Sequence, residues 1–345
     1  MRWDSLAAPP DGTPSPGAAP VAPPLPLALP AAVTRTFDTP EFAGMTFYEI
    51  QAKSIVNQVP GTSRVPFEYT INPYRGCSHA CVYCFARNTH TYLDMDAGAD
   101  FDQRVIVKVN AGELLRRELA APRWQRQHIA MGTNVDCYQR AEGRYKLMPQ
   151  IIGALTDFAN PFSILTKGTL ILRDLPLLRR AAEVTPVGIS FSIGFVDEAL
   201  WRAVEPGTPS PRRRLDAVRA FTDAGFSVGV LMAPVLPGLT DTDEAIDATV
   251  SAIAAAGATS LTPLPLHLRP GAREWYAQWL AKTFPHLVPR YRELFRSGSY
   301  LPQAYQREIT ARVRTATRRH GLHRAEGNPN RDLPQTPAAE QLTLL

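Results

Sequence analysis

The reading turns on one stretch, Asn72-Pro73-Tyr74-Arg75-Gly76-Cys77-Ser78-His79-Ala80-Cys81-Val82-Tyr83-Cys84-Phe85. Its three cysteines stand at C-x3-C-x2-C spacing. They follow Phe67-Glu68-Tyr69-Thr70-Ile71, a short apolar run that reads as a strand. The loop therefore lies at the carboxyl end of that strand, where α/β barrels build active sites. Thiolates are soft ligands that suit iron–sulfur clusters or zinc. Three of them on a short loop can hold three corners of a cubane and leave the fourth iron open. A structural zinc site instead takes four ligands and is closed. His79, His90 and Cys137 are the candidates for that fourth ligand, but a second pair of C-x2-C knuckles is missing.

Outside this loop the composition is that of an intracellular protein. The chain has 345 residues, 45% of them hydrophobic, and only four cysteines. Four are too few for a disulfide framework at this size. No apolar run reaches the ~18 residues of a membrane span, and no signal peptide is expected. A cytoplasmic location with no membrane partner is expected. The net charge is +5, and residues 290–331 hold ten Arg against three Glu. Such a surface suits an anionic partner, although most charge runs are solvated helix faces.

Further outward, six short apolar runs alternate with helical patterns. The runs begin with 67–71 and continue at 128–132, 162–166, 187–192, 228–232 and 259–262. Helices are expected over 111–119, 147–158, 175–184, 211–224 and 241–256. Gly225 is placed to end the fourth, and Thr240 or Asp241 to cap the fifth. Alternation of this kind predicts parallel βα units. The fold class is α/β, a partial (β/α)6 TIM-like barrel spanning 39–272. A helical C-terminal extension over 273–325 carries an apolar stripe of Tyr305, Ile309, Val313 and Ala316. Pro and Ala fill 17 of the first 35 positions, so 1–38 reads as a disordered tail and 326–345 as a flexible one.

The cysteine spacing, with an aromatic residue just before the last Cys, resembles the signature of the radical S-adenosylmethionine (SAM) superfamily. A closer resemblance, over about residues 40–270, is to its spore photoproduct lyase-like branch, in its actinobacterial subgroup. It rests on Asn72-Pro73-Tyr74-Arg75-Gly76-Cys77, Thr166-Lys167, Leu172-Arg173-Asp174, Gly132 to Gln139 with Glu142, and Ala233-Pro234-Val235-Leu236-Pro237-Gly238-Leu239. The resemblance implies that Cys77, Cys81 and Cys84 hold an oxygen-sensitive [4Fe-4S] cluster. SAM then chelates the open iron and is cleaved reductively to a 5′-deoxyadenosyl radical. It further implies a flavodoxin- or ferredoxin-like electron donor.

Residue by residue, the resemblance implies that Tyr83 helps cover the SAM adenine. Thr133 and Asn134 meet its amino group and Lys167 pairs with its carboxylate. Ser192 meets the ribose or carboxylate, and Leu236 offers contact to the adenine. The segment 136–139, with Glu142, is expected on the substrate side. There Cys137 is a candidate hydrogen-atom donor and Tyr138 a radical relay or stacking ring. In that branch a donor cysteine lies near the end of the second strand, and the matching position falls at about Gly132. Arg212, Arg213, Arg214 and the C-terminal arginines are candidates for phosphate contact. The substrate stays open, with DNA or RNA leading. The competing reading is a non-catalytic nucleic-acid-binding protein with a structural Cys-bound metal.

Overall fold

The computed structural model describes residue 29, residues 31–60 and residues 65–322. The expected tail at 326–345, and residues 1–28 of the N-terminal one, lie outside the described residues. Residues 33–35, within the span expected as a tail, form a strand. Strand β1 (Val33–Arg35) pairs antiparallel with β2 (Thr46–Ile50). Ala32 beside it is buried in a small cluster with Tyr48, Leu93, Met95 and Ile106. A strand this short carries little pattern of its own and is ordered by the edge it joins.

The chain continues through β3 (Val56–Gln58), β4 (Tyr69–Ile71) and β5 (Tyr74–Arg75). Next come α1 (Ala99–Gln103), β6 (Arg104–Lys108), α2 (Ala111–Leu119) and β7 (Ile129–Met131). Helices α3 (Arg140–Tyr145) and α4 (Leu147–Asp157) precede β8 (Phe162–Thr166), and α5 (Leu175–Ala182) precedes β9 (Val187–Ser192). Then α6 (Glu198–Val204) and α7 (Pro211–Asp223) lead to β10 (Val228–Val235), and α8 (Asp243–Ala255) to β11 (Ser260–Pro265). Helices α9 (Ala272–Thr283), α10 (Val288–Leu294) and α11 (Gln303–Arg319) follow.

All six expected strands fall in one sheet of order β11-β10-β9-β8-β7-β4-β3. Every pairing from β4 to β11 is parallel, and β3 adds an antiparallel edge. The two ends do not meet, so the sheet is an open (β/α)6 arc. A second sheet, β1-β2-β6-β5, was not expected. It matters because β5 stands two residues before Cys77 and is tied to β6 by Tyr74 opposite Val107.

The helices follow their apolar spacing. In α4, Leu147, Met148, Ile151, Ile152, Ala154 and Leu155 are buried on one face. Helix α7 starts on the Ser210 hydroxyl, which accepts from the Arg213 N–H, with Pro211 at its first position. It stops before Gly225, whose φ of +91° suits glycine. One cap differs from expectation: α8 is capped by Thr242, not by Thr240 or Asp241. Those two serve the turn after β10, accepting from the N–H groups of Leu236 and Gly238.

One core lies between the sheet and its helices. A second joins Val82 of the cysteine loop and Val204 and Leu236 to Tyr276, Leu280 and Tyr291 of α9 and α10. Helices α9 and α10 are thus packed onto the loop end of the arc, whereas α11 joins the main core. In α11, Ile309, Val313 and Ala316 are buried as the stripe predicts. No described helix is long and apolar enough to cross a membrane.

Candidate active site

The cysteine loop is held from every side by backbone contacts. The Cys77 N–H donates to the Phe101 carbonyl at 2.9 Å, Val82 N–H to Val204 at 3.0 Å and Gly207 N–H to His79 at 3.1 Å. The Gln139 amide bridges the loop, accepting from Ser78 N–H and donating to the Gly76 carbonyl, both at 2.9 Å. Gly76 has φ +86°, and a Cβ there would lie 2.7 Å from the Arg104 carbonyl oxygen. Behind the loop, the fully buried Arg87 donates to the Cys81 carbonyl at 3.0 Å and grips Asp102 with Nη2 at 2.8 and 3.0 Å. Its guanidinium also stacks over Phe101 and Trp275.

The three thiols line one cavity of about 200 Å³ at the carboxyl ends of the strands. Gly132 to Asp136 enter it after β7, Leu165 to Lys167 from the end of β8, and Ser192 from the end of β9. Ala233 and Pro234 of β10 and Leu264 to His267 close the far wall. Burial pushes each of the three thiols above its ordinary range. Such groups ionise when a cation displaces the proton.

The donor set fits an iron–sulfur cluster better than a closed zinc site. Of the candidate fourth zinc ligands, His90 Nε2 lies 2.8 Å from the Arg104 carbonyl, and neither His90 nor Cys137 lines the cavity. Among the described residues no three His, Cys, Asp or Glu side chains gather as a single ion would require. His79 does line the cavity, but its Nδ1 lies 3.4 Å from Asp136 Oδ2; three soft thiols in one cavity suit a cluster with one open iron.

Of the residues expected to meet SAM, Tyr83, Thr133, Asn134, Lys167 and Ser192 line the cavity together. Leu236 does not: it is buried in the second core, its N–H donating to Thr240 Oγ1 at 2.8 Å. The Lys167 ammonium donates to Ser192 Oγ at 2.6 Å, lies 3.1 Å from Glu205 Oε1 and 3.4 Å from the Ala233 carbonyl, and sits 5.7 Å from the Tyr83 ring centre. Asp136 ties the strand ends together, accepting from Tyr138 N–H, Thr166 Oγ1 and Lys167 N–H at 2.7–2.8 Å, with His79 Nδ1 at 3.4 Å.

The segment expected on the substrate side mostly faces elsewhere. Only Asp136 of it lines the cavity. Cys137 and Tyr138 are buried in the main core, with the Tyr138 hydroxyl donating to Asp174 at 3.0 Å. Glu142 is fully buried and accepts from Tyr74, Arg173 and the N–H groups of Leu147 and Met148. At Gly132, φ is +75° and a Cβ would lie 1.8 Å from the Leu165 carbonyl oxygen. That position carries no side chain because none fits.

Sequence reading missed a buried ion group. Glu205, at the end of α6, accepts from the Tyr83 hydroxyl and the Arg214 guanidinium and lies beside Lys167. Burial alone would raise its carboxyl, but Arg214, Lys167 and the Tyr83 hydroxyl outweigh that and hold it at about 2. Arg214, expected to contact phosphate, is instead 1% exposed. Arg212 and Arg213 are exposed.

At the mouth of the cavity, His267 lies between Phe85 and Tyr300, with ring centres 5.6 Å away on each side. The Arg269 guanidinium sits 5.5 Å from the Phe85 ring centre.

Residues 71–250 match the Radical SAM superfamily. The chain is 48% identical to uncharacterized proteins of Mycobacterium tuberculosis and Mycobacterium bovis, over 98% of its own length and 97% of theirs. It is 29% identical to an uncharacterized protein of Methanocaldococcus jannaschii over 58% of its length and 72% of that protein. Among solved structures, spore photoproduct lyase complexed with dinucleoside spore photoproduct superposes with a TM-score of 0.59 at 19% identity, covering 79% of each chain. At that identity the likeness is one of fold.

Proposed function

This chain belongs to the radical SAM superfamily, and we propose that it cleaves S-adenosylmethionine reductively at a [4Fe-4S] cluster held by Cys77, Cys81 and Cys84. One observation carries the reading: the three thiols share a single cavity with Tyr83, Lys167 and Ser192, at the carboxyl ends of parallel strands. When bound, the cluster supplies the electron that splits the sulfonium and yields a 5′-deoxyadenosyl radical able to take hydrogen from an unactivated C–H bond.

The chain's own residues orient the cofactor and keep water out. Lys167 offers its ammonium to the methionyl carboxylate, a charge-assisted contact stronger than a neutral one. Ser192 holds that ammonium in place and can share the ribose or carboxylate. Thr133 and Asn134, which line the same cavity, are assigned to the SAM amino group. Tyr83, Leu264, Pro265 and Leu266 give the adenine an apolar wall, and burial of the site limits stray hydrogen donors.

For the substrate we favour nucleic acid. The rings at the mouth can stack on a base, and Arg307, Arg314 and Arg318 are exposed along α11, where they can meet phosphates. A flavodoxin- or ferredoxin-like protein is the expected reductant. The steric block at Gly132 argues against a thiol donor at that strand end, so any repair chemistry here must return hydrogen by another route.

The test is anaerobic reconstitution with iron and sulfide, then reduction in the presence of SAM. The expected result is a brown protein that releases 5′-deoxyadenosine and methionine, with turnover altered by single-stranded DNA, duplex DNA or RNA. A colourless protein that takes up zinc and ignores SAM would overturn the enzyme reading. Indifference to all three nucleic acids would remove only the substrate class.

A further inference from the structure

Glu205 lines no part of the cavity, yet it touches two residues that do. Its carboxylate receives the Tyr83 hydroxyl from the cysteine loop, the Lys167 ammonium from the end of β8, and the Arg214 guanidinium from α7. Arg214 also donates to the Ser192 carbonyl at 2.9 Å. One carboxylate therefore joins the cysteine loop to the ends of β8 and β9.

The backbone around Glu205 repeats the connection. Val204 and Gly207 flank it and both bond the cysteine loop, to Val82 and His79. Gly207 passes so near that a Cβ would lie 2.0 Å from the Ser78 carbonyl oxygen. The segment 204–207 and the cysteine loop are thus fitted to each other at main-chain distance.

A carboxylate taken wholly out of water carries a large desolvation penalty, offset only by good geometry with its partners. The reach of Glu205 to Tyr83 and Lys167 fixes two cavity-lining side chains against each other. Of the three Lys167 contacts, that to Ala233 is longest at 3.4 Å, and those to Ser192 and Glu205 are 2.6 and 3.1 Å. The ammonium can exchange the Ala233 contact for a ligand carboxylate while the other two keep it in place.

We infer that Glu205 is a positioning residue for the cofactor, anchored to the cysteine loop through Tyr83 and holding the Lys167 ammonium at a fixed distance from that loop. The inference rests on the SAM reading of the cavity. Glu205 acts through Lys167, so its removal matters only where Lys167 is present to be misplaced.

The experiment is a double-mutant cycle on SAM affinity, measured by equilibrium dialysis with the reconstituted, oxidised protein, where no turnover occurs. Iron per chain and the thermal midpoint are recorded for each variant. Glu205→Gln is expected to weaken SAM binding about 10-fold, as loss of a group supporting a ligand-binding side chain typically does, with iron content kept. In a Lys167→Met background the same substitution is expected to change affinity less than 2-fold. Glu205→Asp keeps the charge but shortens the reach; it too is expected to weaken binding, and it stands in if the Gln variant does not fold.

Unchanged affinity in the folded Glu205 variants would overturn the inference, as would an equal loss with and without Lys167. If the wild-type protein itself binds no SAM, it is the cofactor reading that fails, a different pattern from either.

Discussion

Arg87 and Asp102 form a two-pronged ion pair at 2.8 and 3.0 Å directly behind the cysteine loop, and the same guanidinium holds the Cys81 carbonyl. Asp102 is mostly buried, and burial raises its carboxyl to about 6 even though Arg87 pulls the other way. Arg87→Met leaves that carboxylate without its partner. Loss of one member of a buried pair typically costs ~3–5 kcal/mol. The unfolding free energy of the metal-free variant, from urea titration, is expected to fall by that margin, and the variant to take up less iron on reconstitution. Equal midpoints and equal iron would show that the loop does not depend on this pair.

Gly132 sets a limit on engineering the site. A Cβ there meets the Leu165 carbonyl at 1.8 Å on a backbone with φ +75°. Gly132→Ala and Gly132→Cys are both expected to destabilise by roughly 2–4 kcal/mol, from left-handed strain and overpacking combined. Chemical denaturation measures this. A Gly132→Cys variant as stable as the parent would mean that the β7–β8 crossing yields easily.

Glu205 gives the stability a definite acid dependence. Its carboxyl titrates at about 2 in the folded chain against an ordinary value of 4.5. The folded state therefore binds the proton less readily than the unfolded one. The stabilisation is complete above about pH 4.5 and is lost as pH falls toward 2, about 3 kcal/mol in all. The difference in thermal midpoint between wild type and Glu205→Gln should be constant from pH 7 to 5 and shrink by pH 3. A difference that grows on acidification would contradict the ion-group geometry.

Cys137 and Tyr138 stand behind the cavity wall rather than in it. Cys137→Ala is expected to leave SAM cleavage within 2-fold of wild type. Tyr138→Phe removes one hydrogen bond to Asp174 and is expected to cost about 1 kcal/mol with cleavage likewise kept. A large loss of 5′-deoxyadenosine with normal iron content and normal melting would return either residue to a chemical role.

Much of this architecture is legible from local pattern. Phe162 to Thr166 and Val187 to Ser192 become strands at the expected residues because apolar, β-branched runs between helices have few alternatives. The cysteine loop is legible because three thiols at fixed spacing have few other uses. The small sheet is harder: Tyr74–Arg75 is two residues long and means nothing until Arg104–Lys108 lies beside it. The buried charges were hidden for a related reason. Arg214 stands beside Arg212 and Arg213 in an evidently solvated run, and only the fold reveals that it alone faces inward to Glu205. The strand-end position of Leu236 and the family resemblance around Glu142 do not say which way either side chain faces. In both, the chain has already turned into a core by the time it reaches them.

Bonds that shape the cysteine loop run to Phe101, Gln139, Val204, Gly207 and Arg87. A zinc finger collapses when its ion leaves, because the ion is its core. This socket is braced from outside. If the proposed cluster is lost, these braces stay in place, so the emptied loop is expected to keep its shape and to take up iron and sulfide again.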